Sequence, residues 1–175
     1  MNAAYILPTG DEICNGTVLD LDSQEIMGQI VRQYPMAEVT RLAPLVDEEE
    51  AICKKVEEIA ARAPDIIILV GGSGGGHRHS RTLGKDFTHS ALSRFLDQNV
   101  SREIYGKNGH LWCKIVCGKK DGTLVVNVPG PFQEAKAAMA SCLRALAAQA
   151  DLDGICRSMA DAVYAQYPPG GHHGA

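Results

Sequence analysis

The sequence predicts an α/β fold: a three-layer α/β/α sandwich on a mostly parallel sheet with an antiparallel edge hairpin. Three observations predict it. Residues 66–70 are Ile-Ile-Ile-Leu-Val, an unbroken apolar and largely β-branched run that reads as a strand buried on both faces. Strand and helix signals alternate along the chain, as they do in βα units strung in series. The apolar run ends in Gly71-Gly-Ser-Gly-Gly-Gly76, where open α/β sheets hold ligands beyond the carboxyl ends of their strands.

Each element follows from local pattern. Ala3 to Leu7 is a short apolar strand ended by Pro8-Thr9-Gly10. Asp22 to Tyr34 carries Ile26, Ile30 and Tyr34 at helical spacing, with Asp22 and Glu25 placed as a capping box. Ala37 to Leu42 is a second strand. Glu48 to Ala63 is a helix with Ile52, Val56, Ile59 and Ala63 on one face, ended by Pro64. The strand Ile66 to Val70 and a short helix, Thr88 to Leu96, follow. Leu111 to Cys117 and Thr123 to Val128 flank Gly118-Lys-Lys-Asp-Gly122, a hairpin by its turn residues. Pro129-Gly130-Pro131 opens a helix to about Gln149, with Ala135, Met139, Cys142 and Leu146 on its inner face. A last helix runs from Leu152 to about Tyr164. Residues 1–166 form one domain without repeat or linker, and residues 167–175 are a disordered tail whose His172 and His173 do not define a metal site.

Composition narrows the function classes. An apolar fraction of 45% and a charged fraction of 22% are those of a globular domain. A net charge of -4 gives no electrostatic case for nucleic acid. No apolar run approaches the length of a membrane span, and no basic-then-apolar leader opens the chain, so a cytoplasmic protein is expected. None of the six cysteines forms a C-x-x-C pair, so they read as reduced, buried, small hydrophobes.

The candidate site gathers at strand ends: Thr9-Gly10-Asp11-Glu12, then Asp47-Glu48-Glu49, the glycine segment with Lys85-Asp86-Phe87-Thr88, and Asn127-Val-Pro-Gly-Pro131. No Lys-Ser or Lys-Thr follows the glycines, which excludes a P-loop, and His77 and His79 stand where a dinucleotide-binding G-x-G-x-x-G would need glycine. No G-x-S-x-G elbow marks a hydrolase. Asp47 with Glu50 also reads as an N-terminal capping box, and Asp86 as a residue near the N-cap Thr88. His77, Arg78, His79 and Arg81 read three ways: a cationic lip for phosphate, a solvated loop, or an H-x-H metal pair completed by His89 or His110.

These strand-end motifs resemble the molybdopterin-binding domain of molybdenum cofactor biosynthesis. That family includes molybdopterin adenylyltransferase, molybdopterin molybdenumtransferase and the related domain of competence-damage-inducible proteins. The resemblance covers about residues 4–146. Thr9-Gly10-Asp11-Glu12-Ile13, then Gly16, Asp20 and Ser23, resemble the family's opening motif, with Asp22 where the family prefers asparagine. Asp65 to Gly74, Lys85-Asp86-Phe87-Thr88 and Asn127-Val128-Pro129-Gly130 resemble its later motifs in the same order. Asp86 lies fifteen residues after Gly71, a longer spacing than the family pattern, and the extra residues are rich in Gly, His and Arg.

The resemblance implies a small-molecule pterin or nucleotide as partner and a homo-oligomer, trimeric in the family. It implies Mg²⁺-dependent adenylyl transfer from ATP to molybdopterin, with a non-catalytic carrier or sensor, or a hydrolase of a pyrophosphate-linked nucleotide, as alternatives. Asp47 and Asp86 would then be the catalytic and Mg²⁺-binding carboxylates. Thr9, Gly10, Asp11, Glu12, Gly71, Gly72, Ser73, Gly74, Gly75, Thr88, Pro129 and Gly130 would bind the ligand. The chemistry suits these residue types: backbone amides of a glycine segment cradle polyphosphate, and carboxylates hold Mg²⁺ between phosphate oxygens.

Overall fold

A computed structural model describes residues 1–74, 86–106, 109–167 and 172–173. Seven strands form one sheet: β1 (Ala3–Pro8), β2 (Glu38–Arg41), β3 (Ile66–Val70), β4 (Gln98–Tyr105), β5 (Leu111–Lys120), β6 (Thr123–Val128) and the two-residue β7 (His172–His173). Their order across the sheet is β2-β1-β3-β6-β5-β4-β7. The β1/β2, β1/β3 and β3/β6 pairs are parallel, and the β5/β6, β4/β5 and β4/β7 pairs are antiparallel. The helices are α1 (Asp11–Cys14), α2 (Asp22–Gln33), α3 (Glu49–Ala60), α4 (Thr88–Phe95), α5 (Phe132–Ala147) and α6 (Leu152–Tyr164).

The apolar run fixes the centre. Every residue of β3 is buried, and the period-2 pleat divides its side chains between two cores. Ile66, Ile68 and Val70 pack with residues of α2, α5 and α6, whereas Ile67 and Leu69 pack with residues of α3 and α4. This gives the expected three layers. Cys113, Cys117, Cys142 and Cys156 are buried free thiols in the first of these cores, and burial pushes Cys142 up to about 12. Among the described residues no helix is long and apolar enough to cross a membrane.

The structure departs from the sequence reading in four places. The hairpin strand β6 is an interior strand, parallel to β3 on one side and antiparallel to β5 on the other, so the edge is extended by β4, for which the sequence reading has no strand. The alternation of Val100 and Ile104 in β4 is interrupted by Arg102, whose charge is matched by Asp153 of α6 at 2.5 Å. A partner so remote in sequence leaves no local signal. The short α1 is likewise additional. The capping box expected of Asp22 and Glu25 does not form: Asp20 accepts from the backbone N–H of Ser23 at 2.9 Å instead. Nor does Asp47 cap its own helix with Glu50; α3 begins at Glu49, after a Glu48 that makes no side-chain cap. The 167–175 tail, expected to be disordered, lies largely outside the described residues.

Candidate functional site

The carboxyl ends of β1, β3 and β6 converge because their parallel pairing sends all three chains out on one edge. Thr9, just past β1, donates its N–H to Val70 O at 2.8 Å and its hydroxyl to the same carbonyl at 3.1 Å. Gly71, just past β3, donates to Val128 O of β6 at 3.0 Å. The segment then crosses over the sheet edge, held on two further sides: Gly72 O accepts from His89 N–H of α4 at 3.1 Å, and Ser73 O accepts from Lys114 N–H of β5 at 2.6 Å.

Glycine is required at the start of this crossing. Gly71 has φ +106°, and a Cβ there would stand 2.4 Å from Thr9 O. Gly72 has φ +56°, and its Cβ would stand 2.2 Å from Thr88 Oγ1. Both positions combine a left-handed backbone with no room for a side chain.

Asn127 makes space for Ser73. Fully buried within β6, it accepts from Val116 N–H at 2.6 Å and donates to Lys114 O at 2.9 Å. The β5/β6 ladder pairs only Cys117 to Lys120 with Val126 to Thr123. Beyond that the Asn127 amide stands in for the missing ladder, and the freed Lys114 N–H takes Ser73 O. The sequence places Asn127 in a motif but does not show this role.

A cavity of about 260 Å³ opens on this edge. Of the expected ligand residues, Thr9, Glu12, Gly71, Gly72, Ser73, Gly74 and Gly130 line it, as does Asp86. Gly10, Asp11 and Pro129 are neighbours of lining residues and do not line it themselves. Asp47 and Thr88 stand behind Gly72. Gly75, His77, Arg78, His79 and Arg81 lie outside the described residues. Asp20, Asp22, Trp112, Pro131 and Glu134 also line the cavity; the sequence reading places Asp20, Asp22 and Pro131 in its motifs without a binding role, and it does not single out Trp112 or Glu134.

Asp47 is 2% exposed. It accepts from Phe87 N–H at 3.2 Å with both oxygens and from Thr88 Oγ1 at 3.3 Å, so it serves the N-terminus of α4. Burial, reinforced by the nearby charges of Asp86 and Asp11, pushes its carboxyl up to about 6 despite those hydrogen bonds. Thr9 Oγ1 lies 2.9 Å from Thr88 Oγ1, so three contacts, Val70 O to Thr9 to Thr88 to Asp47, share two hydroxyl protons. Asp20 behaves oppositely: burial raises its carboxyl, but hydrogen bonds from Ser23 and the Arg41 guanidinium hold it below the usual range. Asp22, beside Asp20, is pushed up to about 6 by burial and by the Asp20 charge.

The raised carboxyl of Asp47 gives a stability prediction with a definite sign. The folded state binds this proton more tightly than the unfolded chain, whose aspartate titrates near 4. The contribution of Asp47 to stability therefore falls as pH rises from about 4 through 6 and is flat above. Asp47→Asn has no such charge to bury, and its amide can donate to Thr88. It is expected to match wild type near pH 4 and to be more stable by about 1–2 kcal/mol above pH 6.5, a discounted share of the full shift. Denaturant unfolding from pH 4 to 8 measures the gap, and a gap independent of pH would refute the burial argument.

The comparisons with known proteins agree with this architecture. Residues 5–148 match the family described as a probable molybdopterin binding domain. Among solved structures, the molybdopterin biosynthesis enzyme MoaB from Thermus thermophilus is 22% identical over 90% of this chain and 98% of its own, with a TM-score of 0.67. The protein CinA from Thermoplasma acidophilum, of unknown function, is 14% identical over 85% and 97%, with a TM-score of 0.57. The tungsten cofactor synthesizing protein MoaB from Pyrococcus furiosus is 12% identical over 85% and 92%, with a TM-score of 0.58. At these identities the likeness is one of fold. Among curated proteins, no sequence matches significantly.

Proposed function

This chain belongs to the molybdopterin-binding domain family of molybdenum cofactor biosynthesis, and on that premise we propose that its sheet-edge cavity binds molybdopterin and catalyses adenylyl transfer to it from ATP. The observation that carries the reading is the convergence of Thr9, Gly71 to Gly74, Asp86 and Gly130 on one cavity at the carboxyl ends of parallel strands. In the transfer, a terminal phosphate oxygen of molybdopterin attacks the α-phosphorus of ATP. The bond from that phosphorus to the bridging oxygen breaks, and pyrophosphate leaves with the electron pair. The chain's part is to hold phosphate oxygens near the glycine segment and to place carboxylates beside them.

Asp86 on the cavity and Asp47 behind it are the pair that would hold Mg²⁺. Among the described residues no three His, Cys, Asp or Glu side chains come together as a metal set. Magnesium at phosphate sites is commonly held by one or two carboxylates plus substrate oxygens, so a pair suffices. The repulsion that Asp86 exerts on Asp47 is what a divalent cation would relieve. Bound there, it would neutralise developing charge on the phosphates.

A second reading, a carrier that binds without catalysis, is favoured by one observation: among the described residues lining the cavity there is no Lys, Arg or His to stabilise charge on a triphosphate. Incubation with molybdopterin, ATP and Mg²⁺ separates the two. Adenylyl transfer predicts release of pyrophosphate with an adenylylated pterin detectable by mass spectrometry. Asp86→Asn, with its fold unchanged by circular dichroism, is expected to lower that rate by roughly a hundredfold or more, the scale of losing a transition-state contact. Molybdopterin binding without pyrophosphate release would establish the carrier reading.

A further inference from the structure

Four free thiols, Cys113, Cys117, Cys142 and Cys156, lie in the core that α6 helps to form. Two of them meet. Cys117 on β5 points at α6, where its S–H reaches Met159 Sδ at 3.5 Å. Cys156, one turn earlier on α6, has its Sγ 3.7 Å from the carbonyl oxygens of Val100 and Ile115. Ile115 shares a face of β5 with Cys117, and Val100 is the partner of Cys117 across the β4/β5 ladder. Residues 156 and 159 of α6 therefore straddle Cys117, and its thiol is within hydrogen-bonding reach of Cys156.

The two thiols are not equivalent. When Cys156 is ionised, the Cys117 S–H donates to it and the Arg102 guanidinium stands nearby, so the thiolate is favoured at Cys156. Burial holds Cys117 up. Such a pair offers a nucleophilic sulfur and a second thiol beside it. Both are fully buried, but the surface is one turn away: Asp153 pairs with Arg102 at 2.5 Å, and their side chains are 39% and 18% exposed. Local lifting of α6, the last helix, would admit a small oxidant. Among the described residues no three His, Cys, Asp or Glu side chains form a metal set, so the chemistry open to this pair is that of two thiols.

We propose that Cys117 and Cys156 form a redox site, in which an oxidant of the hydroperoxide class joins them in a disulfide that staples α6 to β5. The Cys156 thiolate attacks one oxygen of hydrogen peroxide. The O–O bond breaks, hydroxide leaves with the electron pair and becomes water, and Cys156 is left as a sulfenic acid. Cys117 gives up its proton and its sulfur attacks Cys156 Sγ. The S–O bond breaks and the hydroxide takes that proton as a second water. Two thiols are oxidised by two electrons in all, and one peroxide is reduced to two waters. The staple bears on the cavity, because α6 leads into Tyr167. That ring stacks on Trp112 with centroids 4.4 Å apart, and its hydroxyl donates to Glu134 at 2.9 Å; both Trp112 and Glu134 line the cavity.

The test uses the full chain carrying Cys14→Ser and Cys53→Ser, which removes the exposed and the half-buried thiol. The folded protein is treated with hydrogen peroxide in water and in urea below the unfolding midpoint, then its free thiols are counted after denaturation. Loss of two of the four remaining thiols is expected, reversed by dithiothreitol, with peptide mapping joining Cys117 to Cys156. The cross-linked form should melt roughly 5–10 °C higher than the reduced form. With Cys117→Ser added, the sulfenic acid at Cys156 should persist and take up dimedone. Four free thiols under both conditions, a link to Cys113 or Cys142 instead, or a cross-linked form that melts lower than the reduced one overturns the proposal. The thiol count and the mapping need no change at Cys117 or Cys156, so a variant that fails to fold leaves the test intact.

Discussion

Gly71→Ala is expected to destabilise the protein by about 3–5 kcal/mol, summing backbone strain and steric overlap. For a chain of this length that corresponds to a fall in Tm of roughly 10 °C. The overlap is severe because the atom in the way is Thr9 O, 2.4 Å from the added Cβ. That atom is backbone at the end of β1, and moving it breaks the pairing that brings β1 and β3 to one edge. The site should go with the fold, since Thr9 and Gly71 both line the cavity. Gly122→Ala is the control: its φ is +86° but nothing lies within 4 Å of its added Cβ. It carries backbone strain alone and is expected to cost about 1 kcal/mol. Thermal unfolding of the two variants side by side decides the matter, and equal losses would mean that the close approach of β1 and β3 is not what demands glycine.

Asn127→Leu should cost about 2–4 kcal/mol, because it strands one buried and one part-buried backbone group at roughly 1–3 kcal/mol for a fully buried one. Those are Val116 N–H and Lys114 O, at 2.6 and 2.9 Å from the amide. The size of leucine suits the position, so lost volume is not the cause. Hydrogen exchange gives the sharper measurement. The amide of Val116 should lose protection selectively in the variant, because its acceptor is a side chain, while Val125 and Val126 in the parallel ladder keep theirs. Uniform loss of protection across the sheet would point to general loosening instead.

The contrast between these two residues shows what was legible in the sequence. Gly71 announces itself: an apolar run ending in glycine fixes both the strand and the sheet edge on which ligands bind. The strands Ile66–Val70 and Thr123–Val128, and the helix Leu152–Tyr164, were legible to the residue because local pattern alone sets them. Asn127, by contrast, could be noticed only as part of a motif. Its work is to replace a stretch of ladder between β5 and β6, and a side chain that substitutes for backbone leaves no periodic trace. The same holds for Asp47. Its position before α3 suggested a cap for that helix, but its partners belong to α4, some forty residues on. The strand β4 escaped because Arg102 breaks its alternation and is balanced only by α6. Trp112 and Glu134 are joined at the cavity by Tyr167, a residue that the sequence reading assigns to the tail. In each case long-range partnership overrode local preference.

The anchoring of Gly71 to Ser73 on β6, α4 and β5 has a consequence for how such a chain can change over generations. Gly71 to Ser73 are tied down before the chain reaches Gly75, so added length beyond that point need not disturb them. Loop closure is forgiving: even a doubling of length costs only about 0.6 kcal/mol. Insertions and deletions there are close to neutral for the anchored part of the scaffold. The sequence His-Arg-His-Ser-Arg from residue 77 to 81 falls in this stretch, where a change of length or side chain leaves the anchors of Gly71 to Ser73 untouched.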